Sequence, residues 1–160
     1  MSMLQDEDQY WMEFALREAE QAYLEGEIPV GAVIVQNRRI IGKGHNQREK
    51  LRDPTAHAEI MAITAAAATL NSWRLNDCIL YVTLEPCPMC AGAILNARIP
   101  RIVFGCYDFK AGMCGSIENL CDQNLLNHRA VVKGGVAEQS CQALLDDFFR
   151  QTRLKNEESL

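Results

Sequence analysis

Apolar residues recur along this chain with a period that changes, and the changes divide it into alternating helices and strands. Trp11, Met12, Ala15, Leu16, Ala19, Ala22 and Tyr23 fall at helical spacing and form a wide apolar stripe. Asp6, Glu7 and Asp8 place acids at the start of that helix, where its dipole favours them, and Gly26 and Pro29 close it. Residues 30–35 are an unbroken apolar run and read as a buried strand. A polar turn over 36–39 returns the chain through a second strand, 40–44, which makes a hairpin. Residues 47–54 are a polar loop carrying Arg48, Lys50 and Arg52, either solvated or in contact with phosphate. An Ala-rich helix begins at His57 and runs to about Leu70, with Thr55 as its cap. A turn over 73–77 leads to an apolar strand, 78–83, and Pro88 is suited to the first turn of the next helix, 88–97. Residues 101–106 are the following strand. Strand, helix and strand with short connections predict a crossover to a parallel neighbour. A short helix within 117–126, a strand at Val131 and Val132, a break at Gly134 and Gly135, and a last helix capped by Ser140 and running to about Arg153 complete the chain. Residues 156–160 are expected to fray. The sum is one α/β domain over 1–160: a mixed five-stranded sheet with helices on both faces.

Composition narrows the class. Nearly half of the 160 residues are hydrophobic, with charges spread among them, as in ordinary soluble domains. The longest low-polarity run, 60–70, is too short and too rich in Ala and Thr to span a bilayer, so no membrane role is expected. The acidic start lacks a signal-peptide pattern, and the seven cysteines are an odd number; both point to a reducing, cytoplasmic setting rather than a disulfide framework. Cys78, Cys106, Cys114, Cys121 and Cys141 have no metal-ligand spacing and read as small buried side chains. A net charge of −5 argues against a polyanionic partner until its distribution is considered. Residues 1–27 hold eight acids and one base, whereas the rest holds fifteen bases against thirteen acids. A local basic rim is enough to hold one short RNA loop.

The chemistry concentrates in two stretches. Pro86-Cys87-Pro88-Met89-Cys90 holds a Cys pair with two residues between, and Pro54-Thr55-Ala56-His57-Ala58-Glu59 holds a histidine followed two residues on by a glutamate. A Cys pair at this spacing also occurs in redox proteins, but His57 with Cys87 and Cys90 makes a three-ligand zinc set. Catalytic zinc keeps three protein ligands and leaves the fourth position open. Two thiolates cancel the formal charge of the ion, so a carboxylate is needed to take up a proton; Glu59 is the candidate base and not a ligand. His57 and Glu59 are about 200° apart on an ideal helix, so they converge only at its first turn. His45 and His128 have no partner cysteine motif and are not expected to be ligands. Glu85 reads as structural or as part of a rim.

His-Ala-Glu followed by Pro-Cys-x-x-Cys is the signature of the zinc nucleobase deaminases, the cytidine/deoxycytidylate deaminase superfamily. Asp53-Pro54-Thr55-Ala56-His57-Ala58-Glu59-Ile60-Met61, Tyr81-Val82-Thr83-Leu84-Glu85-Pro86-Cys87, Asn127-His128-Arg129 and Asp147-Phe148-Phe149-Arg150 resemble the bacterial tRNA adenosine deaminases in particular, and the likeness runs from about Tyr10 to Arg153. The resemblance implies a three-layer cytidine-deaminase-like fold and one Zn2+ per subunit. It implies a homodimer, and conversion of adenosine to inosine at the wobble position of a tRNA anticodon stem-loop. It places Asn46, Ala58 (through its backbone N–H) and Asn127 at the target nucleoside, and Asp108, Lys110 and Phe149 along the RNA. Phe109, between Asp108 and Lys110, departs from the familiar pattern; it is either a stacking platform or packs inward. Phe149 is likewise either core or a stacking residue. Two other functions fit parts of the sequence: a deaminase of a free base or small nucleotide with the same zinc site, and an RNA-binding protein with a structural zinc, which would need a fourth ligand or a lost base.

Overall fold

The computed structural model describes residues 3–160. Helix α1 (Met3–Leu24) is followed by β1 (Gly31–Gln36), β2 (Arg39–His45), the one-turn helix α2 (Arg48–Leu51), α3 (Ala58–Leu70) and β3 (Cys78–Leu84). Then come α4 (Pro88–Asn96), β4 (Arg101–Cys106), a 3-10 turn (Leu120–Asp122), β5 (Val131–Lys133) and α5 (Glu138–Glu158). The strands form a single sheet in the order β2-β1-β3-β4-β5. β1 is antiparallel to both β2 and β3, whereas β3, β4 and β5 are mutually parallel, so the sheet is mixed as the pattern predicts.

The hairpin turn reduces to Asn37 and Arg38, both with positive φ (49° and 59°). That backbone suits the twist of a two-residue hairpin. β1, β3 and β4 are buried along nearly their whole length, as central strands covered on both faces must be. α1 and α5 touch on one face and α3 and α4 on the other. Tyr23 of α1 meets Phe148 of α5 edge-on and donates from its hydroxyl to Asp147 at 2.5 Å. Glycines let the layers close up. A Cβ at Gly31 would lie 2.1 Å from the Ala15 carbonyl of α1, and one at Gly44 2.6 Å from the Ala58 carbonyl of α3. The second approach brings the start of α3, and with it His57, against the sheet.

Four expectations need correction. The polar loop after β2 contains α2, which ends on Arg52 in the left-handed region (φ 52°). The 117–126 segment holds only a 3-10 turn; Asn119 caps it by accepting from the Cys121 N–H. Ser140 does not cap α5: the chain turns at Gly135 and Ala137 (φ 82° and 54°), so the helix starts two residues before Ser140. α5 also extends past Arg153 to Glu158, so residues 156–158 are helical, not frayed; Leu154, Lys155, Glu157 and Glu158 are all good helix formers.

The acids at the start of α1 do more than complement a dipole. Asp8 is buried beneath the sheet, where it takes a two-pronged bond from Arg101 of β4 (2.9 and 2.7 Å), one from Lys133 of β5 (2.8 Å) and one from the Tyr81 hydroxyl of β3 (3.1 Å). One carboxylate thus ties α1 to three parallel strands. The five cysteines without ligand spacing are all buried. Among the described residues no helix is long and apolar enough to cross a membrane.

Candidate active site

Two helix starts meet at one end of the sheet. His57, and not Thr55 as expected, is the N-cap of α3, since Thr55 turns back to bond Asp53; Cys87 is the N-cap of α4, and both N-caps have extended backbone (φ −75°) before their helices begin. Pro88 at the first helical position fixes the turn that returns Cys90 beside Cys87. His57 Nδ1 lies 3.6 Å from Cys87 Sγ and 3.5 Å from Cys90 Sγ. The three donor atoms lie within 4.8 Å of one another, and among the described residues this is the one group of three or more His, Cys, Asp or Glu side chains that converges so closely.

The spacing tests whether zinc fits. Ligands at about 2.3 Å for sulfur and about 2.0–2.1 Å for nitrogen, set at a tetrahedral angle, place sulfur and nitrogen ~3.5–3.6 Å apart. The observed distances match that requirement, and three donors leave one tetrahedral position free. Cys87 is held as a thiolate, pulled down to about 4 by the hydrogen bond from the Cys90 thiol and, against the effect of burial, by His57. Cys90 is pushed up by the same shared hydrogen bond and by burial. His57 is raised, chiefly by its contact with Cys87. Glu59 lies in the first turn of α3, 4% exposed, and burial raises its carboxyl above the ordinary range. A carboxylate so placed holds a proton more readily than one in water.

A cleft of about 570 Å³ opens above this group. Asn46, His57, Ala58, Glu59 and Cys87 line its inner part; Asp108, Phe109, Lys110 and Phe149 line its rim. Asn46 is buried and held by its side chain, which donates to the Ile28 carbonyl (3.2 Å) and accepts from the Arg48 N–H (3.3 Å). Asp108 Oδ1 accepts from the Lys110 and Ala111 N–H groups (3.0 and 3.1 Å), so part of that carboxylate shapes its own loop. Asn127 is exposed in the loop before β5 and is not among the residues that line this chain's cleft. His45 is no ligand: its ring bridges Glu18 of α1 (3.3 Å) and Glu25 in the turn that follows it (2.8 Å). A groove of similar size between α1 and β2, about 610 Å³, is lined by Phe14, Ile40 and Lys43 and has no such donor set.

Two buried carboxylates hold the rims: Glu85, which the sequence marks as structural or rim, and Glu27, to which the sequence assigns no role. Glu27 accepts from the Glu49 and Lys50 N–H groups (2.9 and 3.1 Å) and so supports α2. Glu85 accepts from the N–H groups of Asp108, Cys114 and Ser116 (3.2, 3.1 and 3.0 Å) and from the Ser116 hydroxyl. The available signal was an acid embedded in apolar sequence, Leu84-Glu85-Pro86 and Glu27-Ile28-Pro29, because a buried acid needs donors. Glu85→Ala leaves the buried Cys114 N–H and the half-buried Asp108 and Ser116 N–H groups without this acceptor; the buried one costs about 1–3 kcal/mol and the other two less, because water can reach them. The expected outcome is faster hydrogen exchange at Cys114 and Ser116 and a raised KM, with zinc content unchanged, read by exchange mass spectrometry and steady-state kinetics.

The profile of the cytidine and deoxycytidylate deaminase zinc-binding region matches residues 5–106. The tRNA-specific adenosine deaminase of Bacillus subtilis (strain 168) is 46% identical over 149 residues, 93% of this chain and 92% of that one. A structure solved in work on A-to-I editing by tRNA:A34 deaminases at the wobble position of transfer RNA superposes with a TM-score of 0.82 at 43% identity, over 85% of this chain and 99% of that one. A guanine deaminase from Bacillus subtilis superposes with a TM-score of 0.60 at 39% identity, over 67% of this chain and 66% of that one. The convergent His and Cys donors, the mixed sheet that sets them and these likenesses agree: the chain belongs to the zinc-binding cytidine and deoxycytidylate deaminase family, alongside the tRNA-specific adenosine deaminases.

Proposed function

We propose that the protein converts adenosine to inosine at the wobble position of a tRNA anticodon loop, by hydrolytic deamination. The observation that carries this reading is a zinc-fitting donor set with a buried Glu59 beside it, under a cleft whose rim is built from Lys110, Phe109 and Phe149. His57, Cys87 and Cys90 would hold one Zn2+ per subunit. When bound, zinc supplies a Lewis acid and a water that is more easily deprotonated. Glu59 accepts the proton of the attacking water and delivers it to the exocyclic nitrogen at C6, so that ammonia leaves and inosine remains. The buried Asn46 and the Ala58 N–H orient the base, and burial of the site keeps bulk water from competing for these bonds. The target is turned out of its loop into the cleft, at lower cost than from a duplex. Asp108, Lys110 and Phe149 lie along the flanking RNA. Lys110 and Phe149 also line an adjoining trough of about 480 Å³ with Arg153, which continues the surface beyond the cleft.

A homodimer belongs to this proposal. Asn127, expected at the substrate, lies off this chain's own cleft, and a second copy would supply it. Light scattering checks that state. A cytoplasmic location follows from tRNA as substrate. The likeness to a guanine deaminase favours a free base as the second reading. Purified protein of known zinc content, incubated with total bacterial tRNA and separately with adenosine, guanine and cytidine, decides between them. Inosine from tRNA alone is the expected result; ammonia from a free base without inosine in tRNA would overturn the proposal.

A further inference from the structure

We propose that Phe109 is a base-stacking platform, backed by Tyr107, whose exposed face receives a nucleobase neighbouring the target in the same single-stranded RNA loop; the proposal rests on the tRNA-editing reading above. The sequence leaves two roles open for Phe109. Its placement excludes inward packing, because the residue is 81% exposed although it lines the cleft. Its ring lies nearly parallel to that of Tyr107, with 14° between the planes and 6.3 Å between the centroids. Tyr107 in turn stands edge-on against the buried Phe104 at 5.0 Å and 89°. Gly134 makes room for this pair: a Cβ there would lie 2.4 Å from the Phe104 ring and 2.9 Å from the Tyr107 hydroxyl. The outer ring is therefore supported through a chain of rings that ends in the core.

The backbone between the two rings is fixed as well. The Asp108 N–H is bound to the buried Glu85, and Asp108 itself accepts from Lys110 and Ala111. An apolar ring held out in water at the mouth of a cleft is organised before any ligand arrives, so little conformational entropy is lost when a flat partner covers it. Chemistry selects the partner. Every nucleobase has a π-face, and loop bases are read by stacking on aromatic side chains. Lys110 stands next in sequence for a phosphate, and Phe149 lines the same cleft. Stacking makes this contact tolerant of base identity, so Phe109 governs affinity for an unpaired neighbour rather than which base that neighbour is.

The test uses a short anticodon stem-loop RNA, intact or with an abasic residue at each position flanking the target. Wild type, Phe109→Ala and Phe109→Leu are compared for binding by fluorescence anisotropy and for inosine formation. Loss of one base–aromatic stack, worth about 1–3 kcal/mol, predicts a fall in kcat/KM and in affinity of about tenfold for Phe109→Ala on intact RNA. Phe109→Leu, apolar but without a π-face, falls as well. On the RNA that is abasic at the stacked position, wild type and Phe109→Ala converge. The proposal is overturned if Phe109→Ala matches wild type on intact RNA, or if its loss persists undiminished on every abasic RNA. Wild-type protein that makes no inosine from any stem-loop overturns the editing reading and the platform together, whereas an active wild type matched by Phe109→Ala overturns the platform alone.

Discussion

Replacing Glu59 by glutamine is expected to lower the rate of inosine formation by about 10²–10⁴-fold, the usual contribution of a positioned acid–base group, with zinc content unchanged. Glutamine keeps the shape and the hydrogen-bonding reach of the side chain but cannot accept a proton. Glu59 is almost fully buried in the first turn of α3, so no other carboxylate can be recruited to its place without moving that helix. Cys90→Ala provides the contrast. It removes a donor 3.5 Å from His57 Nδ1 and should lose metal and activity together. Single-turnover kinetics with metal analysis of both variants separates proton transfer from metal retention. A Glu59→Gln protein that edits at the wild-type rate would remove Glu59 from the mechanism and turn attention to an RNA-binding protein with a structural zinc.

The largest effect on stability is expected at Asp8. Removing one partner of a buried ion pair commonly costs 3–5 kcal/mol. Arg101 and Lys133 keep 26% and 34% of their side-chain surface in water, whereas Asp8 keeps 2%. The cations can therefore rehydrate in part, which puts Asp8→Ala near the lower end, about 3 kcal/mol. For a chain of this size that lowers the Tm by roughly 6–12 °C. The same group predicts a pH dependence. Burial alone would raise the Asp8 carboxyl, but hydrogen bonds from Arg101 and Lys133 and the Arg101 charge overcome it and hold the value at about 2. Unfolded, an Asp titrates near ~3.9. The stabilisation is thus fully present above the unfolded value and is lost as the pH falls through the folded one. Urea melts between neutral pH and pH 3 should show a slope in the wild type that is reduced in Asp8→Asn; parallel curves would remove Asp8 as its source.

What the sequence made legible was whatever depends on neighbours along the chain. The zinc donors could be found because His57 and Glu59 share one helix start and Cys87 and Cys90 share another, each marked by proline. β3, α4 and β4 were legible because short connections leave few alternatives for a parallel pair. Contacts between distant segments were not. Asp8, read as a helix-dipole acid, bonds to residues of β3, β4 and β5. Glu27 and Glu85 carry no local pattern that names the amides they hold. Ser140 matched a cap by residue type, but the left-handed turn at Ala137 starts the helix earlier, directly after Gly135 and Val136 bond the Gly105 and Phe104 carbonyls of β4. Asn127 belongs to a motif of the resemblance, yet its loop does not reach this chain's cleft.

The paired carboxylates under the rims have a consequence for redesign. Glu27 grips main-chain amides of the 48–51 turn, and Glu85 grips those of the 108–116 loop. Both grip the backbone and leave the outward side chains of Arg48, Lys50, Phe109 and Lys110 free of that duty. A combinatorial library at those four positions would vary the surface offered to an incoming strand while the loop traces and the metal donors stay in place. On the proposed function the mouth is in that sense modular: substitutions at these rim residues are expected to change substrate preference while the metal donors and Glu59 stay in place.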